Sequence, residues 1–288
     1  MFKIGLGAGV VKGPSHLTAD LLACPASFVV WGSNTEFERE GNPDPTYYYD
    51  EETGASYNAI GLKNSGSEKV PSMFKEMARL AEEADKKLRI SLAPTGPGSL
   101  RKSLMRTVIT PLRTALEYEL NAACPNHREG DHLHEVLACD PQALRELLEE
   151  THGFQLMSSQ TALKIAPDTD EDMLRRTIDL CIEFDIGGLV SSNTRKVPAP
   201  VVDGKPMISV DFCGQAGAPL LEDGLKQMAT LAKIRKERGA KLKLTACGGI
   251  SEGVHAKRYE EAGADEAQVV TGFLQFGGRV FEDIYIGM

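Results

Sequence analysis

The sequence has no pair of cysteines at metal or redox spacing: six stand apart at 24, 124, 139, 181, 213 and 247, without a C-x-x-C motif or a Cys/His cluster. They read as free thiols, which excludes a disulfide-stapled scaffold. Basic charge is also scarce. Lys and Arg total 32 against 41 Asp and Glu, a formal net charge of −9, and no stretch concentrates positive charge as a nucleic-acid-binding surface does. No run reaches the ~18 apolar residues that span a bilayer. The opening Met-Phe-Lys meets glycine at residue 5 and builds no long apolar signal segment. The expectation is a cytoplasmic protein with no membrane and no nucleic acid among its partners. Aromatics make up only 6%, and low-complexity tracts, linkers and short repeats are missing, which leaves a single domain over 1–288 as the simplest organisation.

What is present is an ordinary globular composition, 42% hydrophobic and 25% charged, with 28 glycines in 288 residues. Short apolar runs alternate with longer amphipathic stretches, the pattern of βα units around a parallel sheet. The runs are Lys3 to Gly7, Phe28 to Trp31, Leu88 to Leu92, Tyr118 to Asn121, Ala162 to Ile165, Gly188 to Val190, Leu242 to Ala246 and Glu266 to Val270. Helices are expected over 71–87, 100–115, 141–150, 169–185, 219–238, 252–263 and 273–286. Asp140 before Pro141 and the acidic run from Asp168 to Asp172 mark two helix starts. Eight such units predict an α/β fold, a (β/α)8 TIM barrel, with an open doubly wound sheet as the alternative. Two stretches, 32–66 and 195–216, are too long for simple connections, and in a barrel such loops build the active-site face.

Polar and glycine-rich segments follow the apolar runs directly, where a barrel places its ligands. They are Gly7-Ala8-Gly9 with Lys12, Gly32-Ser33-Asn34, Asn121 to Asn126, Lys164, Ser191-Ser192-Asn193-Thr194, Gly248-Gly249 and Thr271-Gly272. The last two pairs, on consecutive units, would bring backbone N–H groups around a phosphate, or would simply be tight turns. Lys164 sits between apolar neighbours and needs an anionic or electron-rich partner if buried. A flavin ring, which gains negative charge on reduction, would provide one. Cys124, bracketed by Asn121 and Asn126, can act as a thiolate base or as a small buried hydrophobe, the reading given to Cys24, Cys139, Cys181 and Cys247. Asn58, Asn121, Asn126 and Asn193 offer paired donors and acceptors to a planar amide-containing substrate. His127, His132 and His134 could ligate a metal, although a polar loop over the site accounts for them as well, and no metal is expected.

Glu119-Leu120-Asn121-Ala122-Ala123-Cys124-Pro125-Asn126, Leu163-Lys164-Ile165-Ala166-Pro167-Asp168, Ser192-Asn193-Thr194 and Gly248-Gly249-Ile250 together resemble the dihydroorotate dehydrogenase family. Shorter matches fall in the family's order at Ala8 to Lys12, Gly41 to Pro43, Asn58 to Asn64, Gly217 to Leu220 and Thr271 to Phe273, so the likeness covers almost the whole chain. The resemblance implies an FMN enzyme that oxidises dihydroorotate to orotate in pyrimidine synthesis. It implies Cys124 as the base and Lys12, Asn58, Asn121, Asn126, Asn193 and Thr194 as substrate contacts. Ala8, Gly9, Ser33, Asn121, Lys164, Ser192, Gly217, Gly248, Gly249, Thr271 and Gly272 would hold FMN. A cysteine base is like the family's soluble branch, whereas Ala8-Gly9 with Lys12, Lys164 to Asp168 and Thr271 to Phe273 are more like its membrane-associated, quinone-linked branch. The electron acceptor and the oligomeric state, a homodimer included, are left open. Ser91 stands where the family usually offers asparagine to the flavin, and Lys63 where proline or asparagine is common. Another cyclic amide as substrate, a tRNA dihydrouridine synthase and an inactive binding barrel are the alternatives, and the negative net charge argues against RNA.

Overall fold

The computed structural model describes residues 1–95, 99, 102–103, 117–123, 128–129, 132–133, 140–152 and 158–288. In chain order its strands are β1 (Lys3–Val11), β2 (Phe28–Asn34), β3 (Tyr47–Asp50), β4 (Ala55–Asn58), β5 (Lys87–Leu92), β6 (Glu117–Asn121), β7 (Arg128–Glu129), β8 (His132–Leu133), β9 (Thr161–Ile165), β10 (Gly188–Ser191), β11 (Arg195–Pro198), β12 (Val201–Val202), β13 (Lys205–Pro206), β14 (Phe212–Gly217), β15 (Lys243–Cys247) and β16 (Glu266–Val269). Among the described residues, eight parallel strands close into a barrel in the order β1-β16-β15-β10-β9-β6-β5-β2. These are the eight apolar runs of the sequence. Strands β2, β10 and β16 are buried at every position, because one face looks into the barrel and the other lies under helices. Such strands therefore read as continuous apolar runs rather than as alternating ones.

The helices Val70–Glu83, Pro141–His152, Glu171–Glu183, Leu221–Arg238, Gly253–Glu261 and Arg279–Gly287 are amphipathic, as a ring around a barrel requires. Both expected starts are capped. Asp140 Oδ1 accepts from Gln142 N at 2.8 Å and Asp170 Oδ1 from Met173 N at 2.8 Å. The segment expected as one helix over 273–286 is two, Thr271–Phe276 and Arg279–Gly287, because Gly277 takes φ 62° between them. The helix expected over 100–115 lies largely outside the described residues.

The long stretches after β2 and β10 are not irregular loops. They supply an antiparallel sheet, β11-β14-β4-β3, laid over the carboxyl end of the barrel, with Ala59, Ile208 and Cys213 as a small apolar cluster of its own. The barrel ladder is irregular beneath this cap. Between the pairs Leu6–Val29 and Val11–Trp31, β1 uses more residues than β2, and the β2–β5 register shifts after Trp31. Extra residues of this kind bend a strand off its ladder at barrel rims. Ala8, Gly9 and Ser33 lie within these irregular stretches.

Candidate active site

Between the strand ends and the cap sheet lies a cavity of about 480 Å³. Strand β1 and its continuation bring Ala8, Gly9 and Lys12 to it, and β2 brings Ser33. Strands β6 and β9 bring Asn121 and Lys164, and the turn after β10 adds Ser192, Asn193 and Thr194. Asn58 and Gly217 come from the cap sheet, Gly248 and Gly249 follow β15, and Thr271 and Gly272 follow β16. Every expected site residue that the structure describes is thus brought to one space. Cys124 and Asn126 lie outside the described residues, as do His127, His134 and Cys139. Among the described residues no group of His, Cys, Asp and Glu could hold a metal ion, and no helix is long and apolar enough to cross a membrane.

The floor is polar and ordered by hydrogen bonds. Asn193 Nδ2 donates to Asn121 Oδ1 at 2.8 Å, Asn121 Nδ2 donates to Ser33 Oγ at 2.9 Å, and Ser33 lies 2.8 Å from the Ser91 hydroxyl. Lys12 Nζ donates to the Gly32 carbonyl at 3.0 Å, which holds its ammonium over the rim. Among the described residues, Lys12 and Lys164 are the cations of the lining, and the carboxylates Glu252 and Asp283 also border it.

Lys164 is buried, with its Nζ 3.4 Å from Gln268 Oε1 and 3.7 Å from Glu119 Oε1. Burial drives an ammonium toward neutrality, yet the negative charge around it holds the Lys164 pKa above the ordinary lysine value. Burial also pushes the neighbouring Cys247 thiol up. That thiol is consequently neutral at pH 7, and Glu119 is the acidic side chain paired with Lys164. Glu119 in turn accepts from Gln268 Nε2 at 2.7 Å through Oε2, while its Oε1 has no hydrogen-bond partner among the described residues.

Two glycines of the lining are required by the protein's own backbone. Gly249 has φ 70°, and a Cβ there would press on the backbone of Leu221. Gly217 has φ 84°, and a Cβ there would run into the Gly54 carbonyl. Tyr259 OH donates to the Gly248 carbonyl at 2.9 Å and fixes the turn from behind.

Several lining residues escape a reading based on strand ends. Tyr47, Tyr49 and Ser56 come from the cap hairpin β3–β4, Gln268 from inside β16, and Cys247 from the end of β15. Ser56 Oγ lies 2.7 Å from Thr271 Oγ1, and Gln275 Nε2 donates to Tyr47 OH at 2.9 Å, so the hairpin is tied to the helix that follows β16. The turn Asp50 to Gly54 carried a usable signal. Asp50 accepts from the backbone of Glu52 and Thr53, and Gly54 takes φ 66°, the chemistry of a hairpin turn. The two departures also resolve differently. Lys63 is exposed and not among the lining residues, whereas Ser91 is fully buried directly behind Ser33.

The sequence model of the family described as dihydroorotate dehydrogenase matches residues 3–288. The chain is 25% identical over 301 residues to the dihydroorotate dehydrogenase (quinone) of Acinetobacter baylyi, covering 97% of this chain and 82% of that protein. It is 28% identical over 259 residues to the catalytic subunit of dihydroorotate dehydrogenase B (NAD(+)) of Methanopyrus kandleri, covering 88% and 76%. Among solved structures, the dihydroorotate dehydrogenase of Eimeria tenella in complex with ferulenol superposes with a TM-score of 0.79 at 19% identity, covering 99% of this chain and 79% of that one. Fold, cavity and sequence agree, and the chain belongs to the dihydroorotate dehydrogenase family.

Proposed function

We propose that this protein oxidises dihydroorotate to orotate in pyrimidine biosynthesis, with FMN in the cavity and Cys124 as the base that takes the substrate proton. The family to which it belongs is one of flavin-dependent oxidoreductases. One observation carries the reading furthest: the polar strand ends expected from the sequence converge on one cavity with Lys12 and Lys164 as its cations.

The residues fit a flavin mononucleotide. The glycine turns at 248–249 and 271–272 border the cavity side by side and suit a phosphate that needs close backbone approach. Lys164 would stand against the ring, where its ammonium stabilises negative charge that develops on reduction. When bound, the flavin supplies the hydride-accepting centre. Lys12 would pair with the substrate carboxylate, and Asn58, Asn121, Asn126, Asn193 and Thr194 would match the donors and acceptors of the ring edge. Cys124 holds the abstracted proton. A thiol with an ordinary pKa near 8.5 needs only a modest shift to serve as a thiolate at neutral pH. The electron acceptor is not assigned, since the relatives are named for both quinone and NAD(+).

The test is anaerobic. The purified protein is expected to be yellow and to bleach with dihydroorotate, and Cys124→Ser to keep its flavin while losing most of its bleaching rate at pH 7. A colourless protein that takes up no FMN would overturn the reading. Bleaching by dihydrouracil but not by dihydroorotate would move the substrate to another dihydropyrimidine, the outcome that Ser91 in place of asparagine makes worth measuring.

A further inference from the structure

The hydrogen-bond row beneath the cavity has a direction, and two backbone N–H groups set it because they can only donate. Thr194 N donates to Asn193 Oδ1 at 2.8 Å, which turns the Asn193 amide nitrogen toward Asn121 Oδ1. Ala123 N donates to the same Asn121 oxygen at 3.3 Å. The amide nitrogen of Asn121 is thereby left to donate to Ser33 Oγ. Neither amide can be reversed without setting its nitrogen against a backbone N–H.

A serine hydroxyl has one proton and two lone pairs. One lone pair of Ser33 is taken by Asn121. The Ser91 hydroxyl is fully buried, and among the described residues its one hydrogen-bond partner is Ser33 Oγ, 2.8 Å away. If Ser33 donated to Ser91, the Ser91 proton would be buried without an acceptor, which costs about 1–3 kcal/mol. Ser91 therefore donates, and the second lone pair of Ser33 is filled. The Ser33 proton is left to point away from both neighbours, into the cavity that Ser33 lines.

We infer that Ser33 is held as an obligatory hydrogen-bond donor to the molecule in the cavity, and that Ser91 is the positioning residue that imposes this. An acceptor, a carbonyl oxygen or an unprotonated ring nitrogen, must face Ser33. On the flavin reading above, on which the identity of the acceptor rests, it belongs to the flavin ring. Serine and asparagine at 91 are each both donor and acceptor; what settles the role of Ser91 is the burial of its single hydroxyl proton with no acceptor but Ser33 among the described residues. This gives a role to a departure from the family pattern that lies outside the cavity yet faces its lining.

The test uses the flavin-loaded protein with two readouts, FMN dissociation on dilution and the infrared carbonyl and ring C=N bands of the bound flavin. Ser33→Ala is expected to weaken FMN roughly three- to tenfold, the effect of one hydrogen bond, and to move a flavin carbonyl band to higher wavenumber or to shift a ring C=N band. Ser91→Ala should move both in the same direction but less. The double variant should match Ser33→Ala alone within about twofold, since Ser91 acts only through Ser33. Ser33→Cys, a weaker donor, should give an intermediate band and serves if Ser33→Ala does not fold. Unchanged carbonyl and ring C=N bands together with unchanged FMN dissociation in Ser33→Ala or Ser33→Cys, or a full Ser91→Ala effect persisting in the Ser33→Ala background, would overturn the inference while leaving flavin chemistry intact. A wild-type protein that binds no flavin defeats the flavin reading itself, and the acceptor assignment with it.

Discussion

Each end of the barrel buries a cation against glutamate, and the two pairs are built differently. At the amino end Arg89 donates to both oxygens of Glu266, at 2.6 and 2.9 Å. Its Nε lies 2.6 Å from Glu117 and its guanidinium 3.6 Å from the Phe28 ring, and Thr245 Oγ1 donates to Glu266 at 2.9 Å. Toward the cavity, Lys164 stands 3.7 Å from a glutamate oxygen that has no hydrogen-bond partner among the described residues. The first pair is direct and bidentate, as desolvated charges need to be if they are to support a fold, although Arg89 Nε, like Glu119 Oε1, makes no hydrogen bond among the described residues. The second pair is held at a longer distance. Charge that serves the fold is joined tightly, and charge beside the cavity is not.

The largest test of this contrast is at the bidentate pair. Arg89→Ala strands the Glu266 carboxylate in the barrel and is expected to lower unfolding stability by roughly 3–5 kcal/mol, the range for breaking a buried ion pair. Urea denaturation measures it, and a loss under about 1 kcal/mol would erase the distinction. Next is Lys164→Gln, expected to lower the reduction potential of the bound flavin by roughly 30–60 mV, because about 1.4 kcal/mol of stabilisation of the two-electron reduced state corresponds to 30 mV. A spectroelectrochemical titration that shows no shift would detach Lys164 from the flavin.

The third test uses pH. Burial raises the pKa of Glu266, but the Arg89 guanidinium outweighs it and holds the carboxyl below the ordinary carboxylate range; Glu117 is lowered likewise by Arg89 and Lys243 against its own burial. A folded-state pKa below the unfolded one gives stability that is complete above the unfolded value, near 4.3, and is lost as pH falls through the folded value. Melting temperature should therefore fall more steeply below about pH 4.3 in the wild type than in Glu266→Gln. Equal slopes would remove Glu266 from the acid limb. The smallest effect is expected from Glu119→Gln, which should raise the flavin potential by less than about 30 mV. A shift in the same direction as Lys164→Gln would contradict the assignment of Glu119 as the counter-charge.

The barrel strands were legible because burial on both faces writes itself as an apolar run, and the strand ends because polar and glycine residues stop those runs abruptly. The cap sheet was not legible as strands. β3 and β11 are partly exposed on a small sheet, so Tyr47 to Asp50 and Arg195 to Pro198 carry too little apolar contrast to announce a strand. The pairing of β4 with β14 joins segments far apart in sequence. The Ser33–Ser91 contact was beyond reach for a related reason: a bond between neighbouring strands at matching heights depends on barrel register, which two serines in sequence do not reveal. Ser91 could be seen as a departure, but not what it touches.

The cap has a consequence for how the molecule is made. Asn58 pairs with Gly214, and Ser56 meets Thr271, so the roof of the cavity joins an early part of the chain to one of its last helices. Such long-range contacts form late, after the loops between them have closed. During synthesis, Ser56 and Asn58 must wait for most of the polypeptide before their partners exist. The cradle is a property of the finished chain, and acquisition of a bound chromophore would time-stamp the completion of folding.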